Sequence, residues 1–564
     1  MKRIAVLALL CCLTIPSAPD ASDVYDTQLN SGIRNSEAYS RLLIRQAHDN
    51  RQEAVALLKK ALAASPDLPL VYFELSMHSF SPSVTGILDS FDYLIQGIDA
   101  YGRNFLWSLT LIGSIFFAFV LSFLLAAVIL AFIRLVPDMP LLIHDIQESP
   151  RRAGFFAAVV ALSAISPLLL VAGVLILLGI YMKRSDKAVV YAYLVFLVCS
   201  PLVFKTASQI AQASSSGALK AIVQVNESRG NTYAASVLRN SSDIPSVFSY
   251  ALAVKRQGLY SDAIPLFKSL LARWPDPRVY VDLGNSYIGL YNFDESKKDA
   301  LEEAARYYSQ SIGIRPFSSA YYNLSQVSRE MLDFPKGDEY FAAALSINRT
   351  AVAEYRSISG RTPNRIVADE TLSRKEFRRY IRERFTSVFT FGMSLLPLST
   401  ISALALGLIV VFYLLNSRLR QKAYRCRKCG AILCDKCEKG IMWGQMCPQC
   451  FSSLVKLDEM DARERVARIL AIYEQQRKRR ARIRLLSFTL PGVSFIFGGR
   501  VLSGFLFLWP FLFLALLPVT NRVCVPDSNL VSHGFFSWSA LFGAAVIFIV
   551  SNIITRKRLV RGWR

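Results

Sequence analysis

The chain has 564 residues, 53% of them hydrophobic, and a formal net charge of +23. It is too long for one domain and too apolar for an ordinary soluble protein, so it reads as a multi-pass membrane protein with soluble modules between its spans. The basic excess sits beside apolar runs, at 418–428, 477–484 and 556–564, where Lys and Arg anchor membrane ends on anionic lipid; that placement argues against nucleic acid as a partner.

In chain order, Met1-Lys2-Arg3, an apolar run and the small residues Ser17, Ala18 and Ala21 have the layout of a bacterial secretory signal or N-terminal anchor over 1–21. Residues 22–104 are expected to be a helical, repeat-like N-domain outside the cytoplasm. Apolar stretches at 105–133, 153–182 and 188–204 predict a membrane region over 105–204. It holds two or three spans. The second stretch carries Pro167 at its centre and basic residues at both ends, the pattern of a broken or re-entrant helix or of a kinked span.

A helical domain is predicted over 205–384, best defined at 245–350. There the pattern Gly258, Tyr260, Ala263, Phe267, Pro275 is followed by Leu283, Gly284, Tyr287, Ala304, Tyr308, Pro316 and by Leu324, Ser325, Phe334, Phe341, Ala344. Small and aromatic residues at these offsets let paired helices pack closely, and the series resembles the tetratricopeptide repeat. A weaker copy stands at 35–66. The resemblance implies a stacked α-solenoid whose inner surface receives proteins or peptides. Next, the basic helix 374–384, with Phe377, Tyr380 and Ile381 on one side, is expected to lie against lipid headgroups. A transmembrane helix follows at 385–417.

Residues 418–455 hold Cys426-x2-Cys429, Cys434-x2-Cys437 and Cys447-x2-Cys450. Two such knuckles supply the four soft thiolates that tetrahedral Zn²⁺ prefers. The stretch from Cys426 to Cys437 resembles the centre of a FYVE-type or treble-clef zinc finger. That resemblance implies one structural zinc on Cys426, Cys429, Cys447 and Cys450, with Cys434 and Cys437 spare or shared. The family's basic lipid-binding motif is missing, so phosphoinositide recognition does not carry over. A redox pair or disulfides are the alternative use of these thiols.

A basic amphipathic helix is predicted over 456–484, with Val466, Ile469, Leu470 and Tyr473 on one face. The membrane hairpin 485–555 opens on Leu490-Pro491-Gly492-Val493-Ser494-Phe495-Ile496-Phe497-Gly498. It is similar to a two-span module with a Pro-Gly-x-Gly-x-x-Tyr-x-Gly signature, departing from it at Ser494 and Phe497. A basic tail, 556–564, closes the chain. The expected fold class is therefore all-α: a polytopic helical membrane protein with tetratricopeptide-like solenoid modules and a small Cys-rich zinc finger.

Thiolate metal sites persist in reducing compartments, and the basic ends around the finger favour the cytoplasm. The finger is expected inside the bacterial inner membrane and the repeats across it, in the periplasm. An external N-domain followed by three complete spans would instead return the repeats to the inside. One of the first three stretches, or the signal, therefore does not count as a crossing, and the Pro167 stretch is the expected one. No nucleophile elbow, phosphate-binding glycine loop or metalloprotease helix is visible, which points away from an enzyme. The function expected is a scaffold that docks partner proteins of an envelope assembly or secretion machine. A membrane enzyme or transporter, and a transmembrane redox or metal sensor, are the alternatives.

Overall fold

The structure, a computed structural model, describes residues 33–148, 166–229, 232–359, 367–387, 396–418, 423–434, 446–455, 461–524 and 534–561, with 154, 157, 158, 160 and 161. The expected signal at 1–21 and Cys437 lie outside them. The described chain is almost wholly helical; its one sheet is a two-stranded ribbon.

Four helices come first: α1 (Glu37–Asp49), α2 (Ala54–Ala64), α3 (Pro69–Ser79) and α4 (Val84–Arg103). Three apolar helices follow, α5 (Phe105–Glu148), α6 (Pro167–Gly179) and α7 (Lys187–Ser215). Then come α8 (Gly217–Asn226), α9 (Thr232–Leu238), α10 (Ile244–Arg256), α11 (Tyr260–Arg273), α12 (Pro277–Phe293) and α13 (Lys298–Ile314). They are followed by α14 (Ser318–Glu330), α15 (Phe334–Ile347), α16 (Arg349–Ser359) and α17 (Arg374–Arg384). The C-terminal part comprises α18 (Leu398–Arg418), β1 (Tyr424–Arg425), β2 (Ile432–Leu433), α19 (Pro448–Leu454), α20 (Ala462–Ser487), α21 (Val493–Phe497), α22 (Val501–Cys524) and α23 (Gly534–Val560).

The chain divides into two compact units. The first joins residues up to Leu109 with Gln212–Phe385; the second comprises Thr110–Ala211 and most of the chain after Thr386. In the first unit, helices pack in consecutive pairs, α10 with α11, α12 with α13, and α14 with α15, while the first helices of successive pairs also touch. The local reasons are legible. Asp243 and Asp276 cap α10 and α12 by accepting backbone N–H bonds, and proline occupies the first turn of each, where its missing N–H costs nothing. Gly284 and Gly289 leave room for the rings of Tyr308 and Tyr260; a β-carbon there would lie 2.5 and 2.2 Å from them.

The N-terminal helices belong to the same unit as the repeats. Asn35 bonds through its N–H to the Ser228 carbonyl at 2.9 Å, and the buried Arg229 meets Glu37 at 3.1 Å. Glu227 accepts from the Phe105 N–H at 2.8 Å, so the first residue of α5 is tied to the end of α8. Phe105 and Leu106 at the start of α5, and Ala213 near the end of α7, are buried in one core with Phe248, Phe267 and Phe377. The side of α17 that the sequence assigned to the membrane is covered: Phe377 is fully buried there, and Tyr380 and Ile381 pack against the same core. Its basic residues Lys375, Arg378, Arg379 and Arg382 remain outward.

Among the described residues, five helices are long and apolar enough to cross a bilayer: Phe105–Gln147, Lys187–Ser215, Leu398–Ser417, Val501–Asn521 and Phe536–Val560. This is a membrane protein. The 13-residue α6 is too short, at about 20 Å, for a hydrocarbon core of about 30 Å. Ser166 is extended and Pro167 opens the helix, so the proline stands at the first position of α6 and not inside it. In the second unit, α5, α6, α7, α18 and α22 share a core around Phe123, Leu175, Tyr193, Phe412 and Phe505.

The first span also departs from its sequence bounds. The helix continues past Ile133 to Glu148, carrying the buried pair Arg134 and Asp138, four residues apart, with Arg134 also donating to the Ile496 carbonyl at 3.3 Å. In the hairpin module, Gly492 adopts φ +85° and its missing β-carbon would stand 2.1 Å from the Gly504 carbonyl oxygen. Only glycine fits there. Ser494, where the module's signature has glycine, is within 3.1 Å of the Thr555 hydroxyl.

Candidate metal centre and peptide groove

Two buried polar constellations stand out. The first is local. The ribbon β1–β2 pairs Tyr424 with Leu433 and Arg425 with Ile432, antiparallel. Between the strands the chain turns tightly, the Gly430 N–H bonding to the Cys426 carbonyl at 3.0 Å and the Cys426 N–H to the Ala431 carbonyl at 2.8 Å. Gly430 takes φ +81°, a conformation few other residues adopt. This turn presents Cys426 and Cys429. Cys447 caps α19, with Pro448 in its first turn, and Cys450 follows inside the helix.

The sulfurs of Cys426, Cys429, Cys447 and Cys450 all lie within 4.8 Å of one another. Cys429 and Cys447 are 3.7 Å apart, and the Cys447 N–H points at the Cys426 sulfur at 3.3 Å. These are thiols, not disulfides. Burial alone would raise the Cys426 thiol, yet backbone N–H donors from Cys429, Cys447 and Lys428 bring it down to about 7. Donors aimed at sulfur favour thiolate, the form that binds metal. Leu433, Met446 and Ile472 of α20 close over the group. Four gathered cysteines in this geometry make a possible metal site. Cys434 is buried just past β2 but is not one of the four.

The module is also fastened to α5. The Ala423 N–H donates to Asp145 at 3.2 Å, Tyr181 donates to the same carboxylate at 2.7 Å, and Arg425 bonds to the Pro137 carbonyl. The face of α20 bearing Val466, Ile469, Leu470 and Tyr473 is exposed.

The second constellation is distributed, and sequence reasoning missed it. Residues 367–373, Val-Ala-Asp-Glu-Thr-Leu-Ser, run without helix along the face formed by the first helices of the pairs. Their backbone is bonded repeatedly. The Ala368 N–H donates to Asn323 at 2.8 Å, and the Ala368 carbonyl accepts from Asn323 and Asn285, both at 2.9 Å. The Glu370 N–H donates to Asp282 at 3.1 Å and the Leu372 N–H to Asn226 at 2.8 Å. Five of these contacts are therefore to main chain, which any extended segment could offer. Two side chains are read as well: Asp369 meets Lys255, Arg256 at 3.0 Å and Asn285 at 2.9 Å, and Glu370 accepts from the Ser319 hydroxyl at 2.5 Å.

The electrostatics divide sharply. Burial would raise Asp369, but the Lys255 and Arg256 cations overcome it and hold the carboxyl down at about 2. Asp282 is pushed well above its ordinary value by burial and by the Asp369 charge, against the pull of Lys255. Glu370 is raised by burial despite the Ser319 hydroxyl. A cavity of about 460 Å³ adjoins the segment, lined by Arg34, Arg103, Arg256, Glu354 and Tyr355 among others. The signal available beforehand was slight: Asn285 and Asn323 are polar residues set among small and aromatic ones on packing helices.

No family model matches this chain, and no curated protein matches it.

Proposed function

We propose that this chain is a non-catalytic docking scaffold of the bacterial inner membrane, whose periplasmic repeat unit grips an extended, acidic segment of a partner protein belonging to an envelope assembly or secretion machine. The observation that carries this reading is the chain's own segment 367–373, seated by main-chain bonds and by the Asp369 and Glu370 carboxylates on the face lined by Asn226, Asp282, Asn285 and Asn323. Recognition of that kind transfers to any extended peptide with aspartate at the third position. The internal segment is then a built-in competitor.

Connectivity supports the sidedness. Both ends of the α5–α7 insertion are rooted in one core, through Phe105, Leu106 and Ala213, so the number of crossings between them is even. The two long helices supply that number if α6 only dips into the bilayer. One further span candidate, Leu398–Ser417, separates the repeats from the cysteine module. An odd count puts the module across the bilayer, where a reducing cytoplasm favours thiolate-bound Zn²⁺ as a structural ion on Cys426, Cys429, Cys447 and Cys450. There the exposed face of α20 and the basic chain ends offer a second contact with protein or anionic lipid. The rival reading, transport through the bundle, would draw on Arg134 and Asp138, but these spend their charge on each other.

The test uses the full chain in detergent and a labelled synthetic peptide, Val-Ala-Asp-Glu-Thr-Leu-Ser. Asp369→Ala loosens the internal segment, so the peptide is expected to bind that variant more tightly than wild type and to lose binding when its own aspartate becomes asparagine. Absence of binding to both proteins would sink the docking reading.

A further inference from the structure

A second cluster of metal-ligating side chains lies in the N-terminal helices, far along the chain from the cysteines. The chain has only four histidines, and two of them, His48 and His78, converge on one buried carboxylate, Glu74. Glu74 and His78 stand four residues apart on α3 and so project from one face of that helix. His48 comes from the last turn of α1. One ligand atom from each residue lies within 4.8 Å of the other two. The closest approach, His48 Nε2 to Glu74 Oε2, is 2.9 Å, and the two imidazoles lie stacked with centroids 6.1 Å apart and planes 30° from parallel.

A plain histidine–carboxylate pair accounts for only half of this. It would use one imidazole, whereas here two stacked imidazoles stand at the same carboxylate. A divalent ion accounts for all three groups, since two imidazole nitrogens and one carboxylate oxygen can share it. The burial gradient is that of a metal pocket: the Glu74 side chain is 9% exposed, whereas His48 is 40% exposed and opens the site to solvent. Two nitrogens and one oxygen form a borderline donor set that suits Zn²⁺ and its first-row neighbours, not Ca²⁺ or Mg²⁺. Ligand atoms of a tetrahedral zinc stand about 3.3 Å apart for bonds of about 2.0–2.1 Å, so the ion would draw the half-buried His78 inward.

We propose that His48, Glu74 and His78 form a divalent transition-metal site that joins α1 to α3 and leaves at least one coordination position open to water or to an incoming group. Metal bound there stabilises the N-terminal helices without involving any thiol, and the open position gives them a reactive or exchangeable point that the cysteine module lacks.

The test is metal content of the full chain in detergent, stripped with chelator and re-equilibrated with Zn²⁺. Wild type is expected to hold one equivalent more than either His48→Gln or His78→Gln. With Co²⁺ in place of Zn²⁺, thiolate-to-metal absorption from the cysteines should be the same in all three proteins. Equal zinc content in wild type and both variants overturns the site. A second measurement needs no variant: Zn²⁺ should protect His48 and His78 of the wild-type chain from acylation by diethyl pyrocarbonate, read by peptide mass spectrometry. Labelling at both residues that Zn²⁺ leaves unchanged overturns it equally.

Discussion

The four cysteines and the groove around Asp369 solve one problem, keeping polar groups buried, in opposite ways. The cysteines come from 25 consecutive residues and are brought together by a tight turn and a helix cap. The groove draws Asn226, Lys255, Arg256, Asp282, Asn285 and Asn323 from four helices and closes them with a segment from beyond the repeats. A local site needs only its own turn and helix cap, whereas a distributed one depends on the paired helices being assembled first. Damage to the two should therefore spread differently.

The largest effect is expected at the metal. Bound Zn²⁺ contributes on the order of 10 kcal/mol to small structural fingers, so with zinc held as proposed, Cys447→Ser or chelation should unfold residues 423–434 and 446–455 together. Limited proteolysis would show cleavage there while the repeats stay resistant; joint loss of both would break the comparison. Asp369→Ala comes next. It leaves Lys255 and Arg256 buried without their carboxylate, a cost of about 3–5 kcal/mol, and should lower the thermal midpoint of the repeats without altering metal content. Asn285→Ala removes the donor to Ala368 and Asp369 and the acceptor of the Tyr308 hydroxyl at 2.7 Å. About 2 kcal/mol should be lost, measurable in the same melts.

The smallest effect sharpens the electrostatics. Asp369 has a depressed folded value, so its contribution is full above pH 3.8 and is lost as pH falls toward about 2. Asp282 is raised, so its ionisation costs stability at neutral pH, and that cost is relieved as pH falls through its elevated folded value. Asp282→Asn should thus stabilise the unit at pH 7 and stabilise it less at pH 4. Melts at the two pH values check it; equal shifts would mean Asp282 is not charged in the groove at neutral pH.

The same contrast explains what the sequence revealed. Spacing within one segment carried the gathering of Cys426, Cys429, Cys447 and Cys450 and the helical character of the chain, because caps, turns and periodicity act over a few residues. The groove was hidden because nothing in Val-Ala-Asp-Glu-Thr-Leu-Ser announces that Asn226, 146 positions away, receives the Leu372 N–H. The basic helix α17 misled for a related reason: Phe377, Tyr380 and Ile381 form an apolar side suited to lipid or to a protein core, and only the packed unit decides. Arg134 and Asp138 escaped notice because a charged pair ends an apolar window even where the helix runs on. His48 and Glu74 are 26 residues apart and on different helices, beyond any motif.

The first unit is interrupted by its own membrane insertion, and that imposes an order on biogenesis. Synthesis delivers α1–α4 first, then two long apolar helices, and only afterwards the helices that cover Phe105 and Leu106. The nascent N-terminal portion must wait, half-built, while the intervening apolar helices enter the lipid. A ribosome stalled between the two halves would therefore leave an adhesive surface for chaperones to shield.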